Sequence, residues 1–195
     1  MIGRRLLALF VAAVTLAGGA RAEDARPPEP DGYRTAALRA PVPATLAGAR
    51  VLDLAGLEAM LTGDPTPVPV LIDVGPAAVK PADLPADSLW LPVHRSIPGA
   101  VWLPGAGLGD LPPEREALLL ALVAALTGGD RDAPIIVFCK PDCWASWNLG
   151  RRLVLAGYRG VAWFPGGVDA WQEVHPTAPV DAMPDWEADA TPAAG

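Results

Sequence analysis

The chain has 195 residues, 22 acidic against 15 basic side chains, a formal net charge of −7 and two cysteines. That balance disfavours nucleic acid and anionic membranes as partners, and two cysteines close at most one intramolecular disulfide, which excludes a disulfide-built scaffold. With 51 % hydrophobic residues, the length supports one domain with a full core and extended ends.

Arg4 and Arg5 precede the apolar run Leu6 to Ala17, and Ala20-Arg21-Ala22 places small residues at both positions that a signal peptidase reads. This pattern predicts a secretory signal over residues 1–22, a mature chain starting at Glu23 and delivery to the periplasm. Cleavage removes Arg4, Arg5 and Arg21 and no acid, taking the charge from −7 to about −10. The run is shorter than the ~20 apolar residues of a transmembrane helix, and no later stretch is long enough, so no integral membrane segment is expected after cleavage. Residues 23–48 are rich in Pro, Ala and Arg without periodicity. They read as an extended arm, lying over the domain or solvated as a linker.

Val51-Leu52 is a short strand, after which Asp53 caps a helix through Leu61 with Leu54, Leu57, Met60 and Leu61 inward. Val68 to Val74 is apolar almost throughout, as in a central parallel strand covered on both faces, and it places Asp73 at its C-terminal end, the edge where α/β sheets build their sites. Ala77 to Ser96 is a long proline-punctuated connection carrying Trp90, expected as a packing anchor, with His94 and Arg95. His94 could act as a general base, but its spacing implies no partner acid. Ile97 to Leu103 reads as turn then strand. Pro112 and Pro113 open a helix whose apolar run, Ala117 to Leu126, ends at Gly128-Gly129 and is buried or a dimer face.

Pro134 to Phe138 is a buried strand that stops at Cys139, before the polar loop Lys140, Pro141 and Asp142. Beyond Cys143 a helix follows, with Trp147, Leu149, Leu153 and Val154 on its apolar face, Asn148, Arg151 and Arg152 on the other, and Gly157 as its stop. Val161 to Phe164 is the next strand. Short strands alternating with helices give an α/β domain with a mostly parallel sheet, over residues 49–175. Residues 176–195 read as a loose acidic tail.

A cysteine on a strand-to-helix loop meets unpaired N–H groups and the positive end of a helix dipole, which favours its thiolate and attracts anions. Cys139 holds that place, and the loop that would receive an anion runs through Lys140, Pro141, Asp142, Trp144, Ala145 and Ser146. Lys140 attracts an anion and Asp142 repels it. Cys143 adds a second sulfur, with Cα atoms about 6 Å apart if it starts the helix, within disulfide range. The two then form a redox pair, a nucleophile with its resolving partner, or an inert staple. Trp144 and Trp147 share a helix face and pack over the loop. A zinc site would need ligands remote in sequence, such as His94 or His175, so no metal and no cofactor are expected.

The run from strand through Cys139 to Gly166-Gly167-Val168-Asp169-Ala170-Trp171, with Val70-Leu71-Ile72-Asp73-Val74 and Ile97-Pro98-Gly99-Ala100-Val101, resembles a rhodanese domain. The resemblance implies a mostly parallel five-stranded sheet with helices on both faces and a Cys139 that accepts sulfane sulfur as a persulfide. Asp73, Arg95 and Trp147 are read as supporting residues, although in rhodanese domains the matching Asp is mostly structural and the Arg often found two residues after it is Gly75 here. More narrowly, the stretch CKPDCWASWN from Cys139 to Asn148 is similar to the PQQ-dependent catabolism-associated CXXCW-motif proteins, where PQQ is pyrroloquinoline quinone. Here three residues separate the cysteines, not two. That likeness implies a periplasmic accessory role beside a PQQ-dependent dehydrogenase or associated transport components. Three readings follow: a sulfur carrier or sulfurtransferase using Cys139, a non-catalytic accessory module with a structural disulfide, and a dithiol redox protein.

Overall fold

A computed structural model describes residues 26–62, 67–85 and 87–187. The expected signal peptide and the last eight residues lie outside them. The buried apolar runs of the sequence become short strands: β1 (Arg50–Val51), β2 (Val70–Asp73), β4 (Val101–Trp102), β5 (Ile135–Phe138) and β6 (Val161–Phe164). They form one sheet in the order β1-β6-β5-β2-β4, with every neighbouring pair parallel. Parallel strands need crossovers, and helices supply them on both faces. On one side α2 (Pro113–Leu126) and α3 (Trp144–Leu155) bury Leu119, Val123, Leu149 and Leu153 against Ile72, Val137 and Trp163. On the other, α1 (Leu54–Leu61) and α4 (Gly167–Gln172) pack on Leu71, Ile136, Phe138 and Phe164. Asp53 caps α1, accepting from the Gly56 N–H at 2.8 Å. Among the described residues no helix is long and apolar enough to cross a membrane.

Two ends of the chain differ from the sequence expectation. The segment after residue 175 is not loose over its described part. Strand β3 (Arg95–Ser96) pairs antiparallel with β7 (Ala178–Pro179), and in α5 (Pro184–Glu187) Trp186 is 1 % exposed. The Arg115 guanidinium stacks 3.6 Å from that indole, and the indole N–H donates to the Pro104 carbonyl. One buried tryptophan is enough to hold a short segment. The N-terminal arm is not a solvated linker either. Val42 and Leu46 are core residues, and Leu46 fills the space that the missing side chain of Gly150 leaves on α3.

That arm also changes α3, which the sequence divides into an apolar and a polar face. Asn148 is fully buried and Arg152 is 1 % exposed. The Asn148 amide accepts from the Arg34 N–H at 3.0 Å and donates to the Arg34 and Gly107 carbonyls. Arg152 donates to the Leu108 carbonyl at 3.0 Å, pairs with Glu116 and lies over the Tyr33 ring. Backbone from two loops thus meets most of the polar face of α3, while Arg151 Nε and Arg152 Nε are left without a hydrogen bond, the latter 3.4 Å from the Glu116 carboxylate. Trp90 is 37 % exposed and does not anchor its loop.

Candidate functional site

The parallel register sets Cys139 one residue past the end of β5, beside Val74 at the end of β2. Its carbonyl accepts the Val168 N–H at 2.9 Å, which ties the loop to the start of α4. Gly167 permits that approach: its φ is +57°, and a Cβ there would collide with the Cys139 carbonyl. From Cys139 the chain turns through Asp142, which takes the left-handed φ of +52° and reaches Cys143, the N-cap residue of α3. Lys140 and Asp142 point to solvent and Pro141 is half-buried, whereas Trp144, Ala145, Ser146 and Trp147 are buried.

Both sulfurs are free thiols, with Cys139 1 % and Cys143 4 % exposed, and the two side chains are hydrogen-bonded to each other. Their acidities are driven apart. Cys143 falls to about 6, first because the Cys139 thiol donates to it and then, against the opposing effect of burial, because the N–H groups of Ala145, Lys140 and Ser146 face its sulfur. None of these makes a capping hydrogen bond to the sulfur. Cys139 moves far upward, chiefly through the same shared hydrogen bond, with burial, the Cys143 charge and the Asp73 carboxylate adding to it. The sequence expectation put the thiolate on Cys139. The structure puts the more acidic thiol at Cys143, because that residue, not Cys139, occupies the helix N-terminus.

The N–H groups expected to receive an anion lie beside Cys143. The Lys140, Ala145 and Ser146 N–H groups turn toward Cys143, Pro141 has no N–H, and the Trp144 N–H donates to the Leu38 carbonyl at 2.9 Å. The loop cradles its own sulfur. A groove of about 360 Å³ on the arm is lined by Pro27, Pro28, Pro30, Tyr33, Arg34, Thr35, Ala36 and Trp144, and neither cysteine lines it.

Trp144 and Trp147 meet edge to face at 5.4 Å, and their indole N–H groups donate to the Pro41 and Thr45 carbonyls, both at 3.0 Å. They hold the arm over the loop. The Ser146 hydroxyl donates to the Cys143 carbonyl at 3.1 Å and accepts from the Trp163 indole at 3.0 Å, which fixes the first turn of α3.

Asp73 is 1 % exposed and has the partner that spacing did not reveal. One carboxylate oxygen accepts from the Gly75 N–H at 2.7 Å, and the other from the Ser96 hydroxyl at 2.6 Å and from His94 Nε2 at 2.8 Å. The His94 ring stacks on Trp102 at 3.9 Å. Gly75 stands where the family often has Arg, and a Cβ there would press on both Asp73 and His94, so the pair uses that space. Asp73 lies along β2 on the face opposite Cys139 and acts on it only through its charge. Arg95 is not at the site: its guanidinium bonds the Thr177 hydroxyl and carbonyl at 3.0 and 2.5 Å and holds β7 in place. Among the described residues no three His, Cys, Asp or Glu side chains gather as a metal site.

The model of the rhodanese-like domain matches residues 54–174. The chain belongs to the rhodanese-like family. Solved structures similar to it include a human single-domain sulfurtransferase, at 20 % identity and a TM-score of 0.40, covering 67 % of this chain and 99 % of that one. The polysulfide-sulfur transferase homodimer of Wolinella succinogenes is 22 % identical with a TM-score of 0.41, over 68 % and 80 %. An uncharacterized protein from Saccharomyces cerevisiae is 17 % identical with a TM-score of 0.40, over 64 % and 92 %. No curated protein sequence matches the chain. Within the rhodanese-like fold, a second cysteine at the start of α3 and an arm across the loop are the features that set this site's chemistry.

Proposed function

We propose that this rhodanese-like protein is a periplasmic accessory factor of PQQ-dependent alcohol oxidation whose working part is the Cys139/Cys143 pair, exchanging thiols and disulfides. The observation that carries the chemistry is the pair itself: two buried free thiols side by side on one loop, with Cys143 at the N-cap of α3, where its acidity is raised. A small oxyanion such as thiosulfate finds its donors already turned to Cys143. A sulfur electrophile needs no such donors.

In the exchange, the Cys143 thiolate attacks one sulfur of a client disulfide and forms a mixed disulfide, and the client's other sulfur leaves as a thiolate that takes up a proton. Cys139 then gives its proton to solvent and attacks the Cys143 sulfur. The Cys139–Cys143 bond forms, the client's second thiolate leaves, and two electrons have passed from the dithiol to the client. The reverse sequence oxidises a client dithiol. The place in PQQ-linked oxidation, with a PQQ-dependent dehydrogenase or its transport components as partner, rests on the likeness of Cys139 to Asn148 to the CXXCW-motif proteins.

A second reading keeps the family's sulfur chemistry, and the position of Cys139 at the end of β5 favours it. A deprotonated Cys139 attacks the sulfane sulfur of a persulfide donor, the donor's thiolate leaves, and Cys139 carries the persulfide. One experiment tests the role: delete the gene and complement with the wild type, Cys139→Ser or Cys143→Ser during growth on an alcohol oxidised by a PQQ enzyme. Loss of growth with both variants supports the proposal. Full growth with both refutes a working cysteine pair. Growth lost only with Cys139→Ser favours the sulfur carrier.

A further inference from the structure

The segment 36–41 runs antiparallel across the cysteine loop and brackets Cys143 on both sides. The Ala40 N–H donates to the Asp142 carbonyl at 3.0 Å and the Trp144 N–H donates to the Leu38 carbonyl at 2.9 Å, with Arg39 directly opposite Cys143. Arg39 Nη1 adds a bond to the Pro141 carbonyl at 3.1 Å, and the Trp144 indole reaches the Pro41 carbonyl. On either side the arm is firmly held, by Arg34 on Asn148 and by Val42 and Leu46 in the core. The stretch between is different in kind. Thr35, Ala36, Ala37, Arg39 and Pro41 are exposed, and Ala37 sits at a φ of +47°, a strained value for a residue with a Cβ. Its Leu38 and Ala40 side chains are half-buried against the core and the rest is held by backbone hydrogen bonds, the character of a short segment that opens locally below the cost of global unfolding.

We propose that residues 36–41 are a strap over the cysteine pair, and that outside sulfur reaches Cys143 and Cys139 only while this strap is lifted. Disulfide exchange requires the incoming sulfur to line up with the sulfur it attacks. With Cys139 1 % and Cys143 4 % exposed and Arg39 paired directly opposite Cys143, no such approach is open while the strap is closed. Because its two ends stay anchored, the strap can lift without loss of the core. The exchange is thereby restricted to reactants that wait for the opening or that supply an extended segment to replace Leu38 and Ala40 against Asp142 and Trp144. The inference builds on the reading that the pair meets outside sulfur, yet its test reads access alone and holds whether or not the pair is redox-active.

The test uses the full reduced chain, alkylated with iodoacetamide and resolved site by site by mass spectrometry, with amide hydrogen exchange followed at Ala40 and Trp144. In the wild type, Cys143 should react more slowly than an unprotected thiolate of its acidity by a factor matching the exchange protection of the Trp144 amide, within about threefold. Arg39→Ala should speed alkylation roughly fivefold and Ala40→Pro, which removes an N–H donor, roughly tenfold or more. Arg95→Ala loosens β7 instead and should leave the rate unchanged. If Ala40→Pro fails to fold, Arg39→Ala and the wild-type comparison decide alone. Alkylation of wild-type Cys143 at the unprotected rate overturns the strap, as does an unchanged rate in Arg39→Ala when its Trp144 amide exchanges faster, or an equal acceleration in Arg95→Ala.

Discussion

Replacing Cys139 with Ala should make Cys143 a weaker acid, because the largest cause of its depression to about 6 is the hydrogen bond that Cys139 donates. A hydrogen bond to a charged group contributes about 1.5–3 kcal/mol, which is roughly one to two pKa units. A thiol is a weak donor, so the lower half of that range applies. The Ala145, Lys140 and Ser146 N–H groups remain, so the variant's Cys143 should titrate near 7 to 7.5 by this reckoning, still below the ordinary thiol value of about 8.5. At pH 6.5 the ionised fraction should fall from about three quarters to between about a tenth and a quarter. Thiolate ultraviolet absorbance of the reduced protein measures this without requiring any reagent to reach the sulfur. With two cysteines, the wild-type pair titrates in two steps, the first well below the ordinary thiol value and the second far above it. A first wild-type step at the ordinary thiol value, or a midpoint that Cys139→Ala leaves in place, refutes the account of a hydrogen bond shared by the two thiols.

The same acidity has a stability signature: between about pH 6 and 9 the unfolded chain keeps the Cys143 proton and the folded chain has lost it, so the reduced protein should gain stability as pH rises through that window. Above the ordinary thiol range the raised Cys139 works in the opposite sense, so urea unfolding should show a maximum near pH 9 that Cys143→Ser flattens. Asp73→Ala strands the Gly75 N–H, Ser96 hydroxyl and His94, and should cost about 2–4 kcal/mol by urea unfolding while Cys143 keeps its midpoint. Trp186→Ala empties the space beneath Arg115 and should cost roughly 3–5 kcal/mol, whereas a loose tail would lose nothing.

The sheet and the helices α1, α2 and α3 were legible because their signals are local. Apolar β-branched runs ended at polar or proline residues where β2 and β5 end, Asp53 announced α1, and Gly157, at a φ of +89°, stopped α3. The position of both cysteines on the β5–α3 loop was legible for the same reason. What the sequence hid depends on contacts between distant positions. Arg34 meets Asn148 across 114 residues, so the polar face of α3 looked solvated, and Trp186 lay in an acidic stretch with no period to mark it as buried. His94 found Asp73 only once β2 and the chain before β3 were brought together. The order of the two thiols depends on where the loop turns. The N–H groups of a strand-to-helix loop were credited to the cysteine at its start, whereas after the turn at Asp142 the Ala145 and Ser146 N–H groups face the cysteine at its end and the Lys140 N–H faces both. An isolated Trp in a polar tail and an Asn beside two arginines on a cysteine-proximal helix were the available hints.

On the proposed function, Cys139 and Cys143 interconvert between dithiol and disulfide in the folded protein. The direct measurement equilibrates the full chain in glutathione buffers of graded potential, traps the thiols and reads the mass of the whole protein. The account predicts one two-electron transition between dithiol and disulfide, at a potential above about −300 mV, with Cys143→Ser giving only a mixed disulfide with glutathione. A dithiol that never closes under oxidising buffers, or a bond that resists reduction below about −300 mV as structural disulfides do, contradicts it.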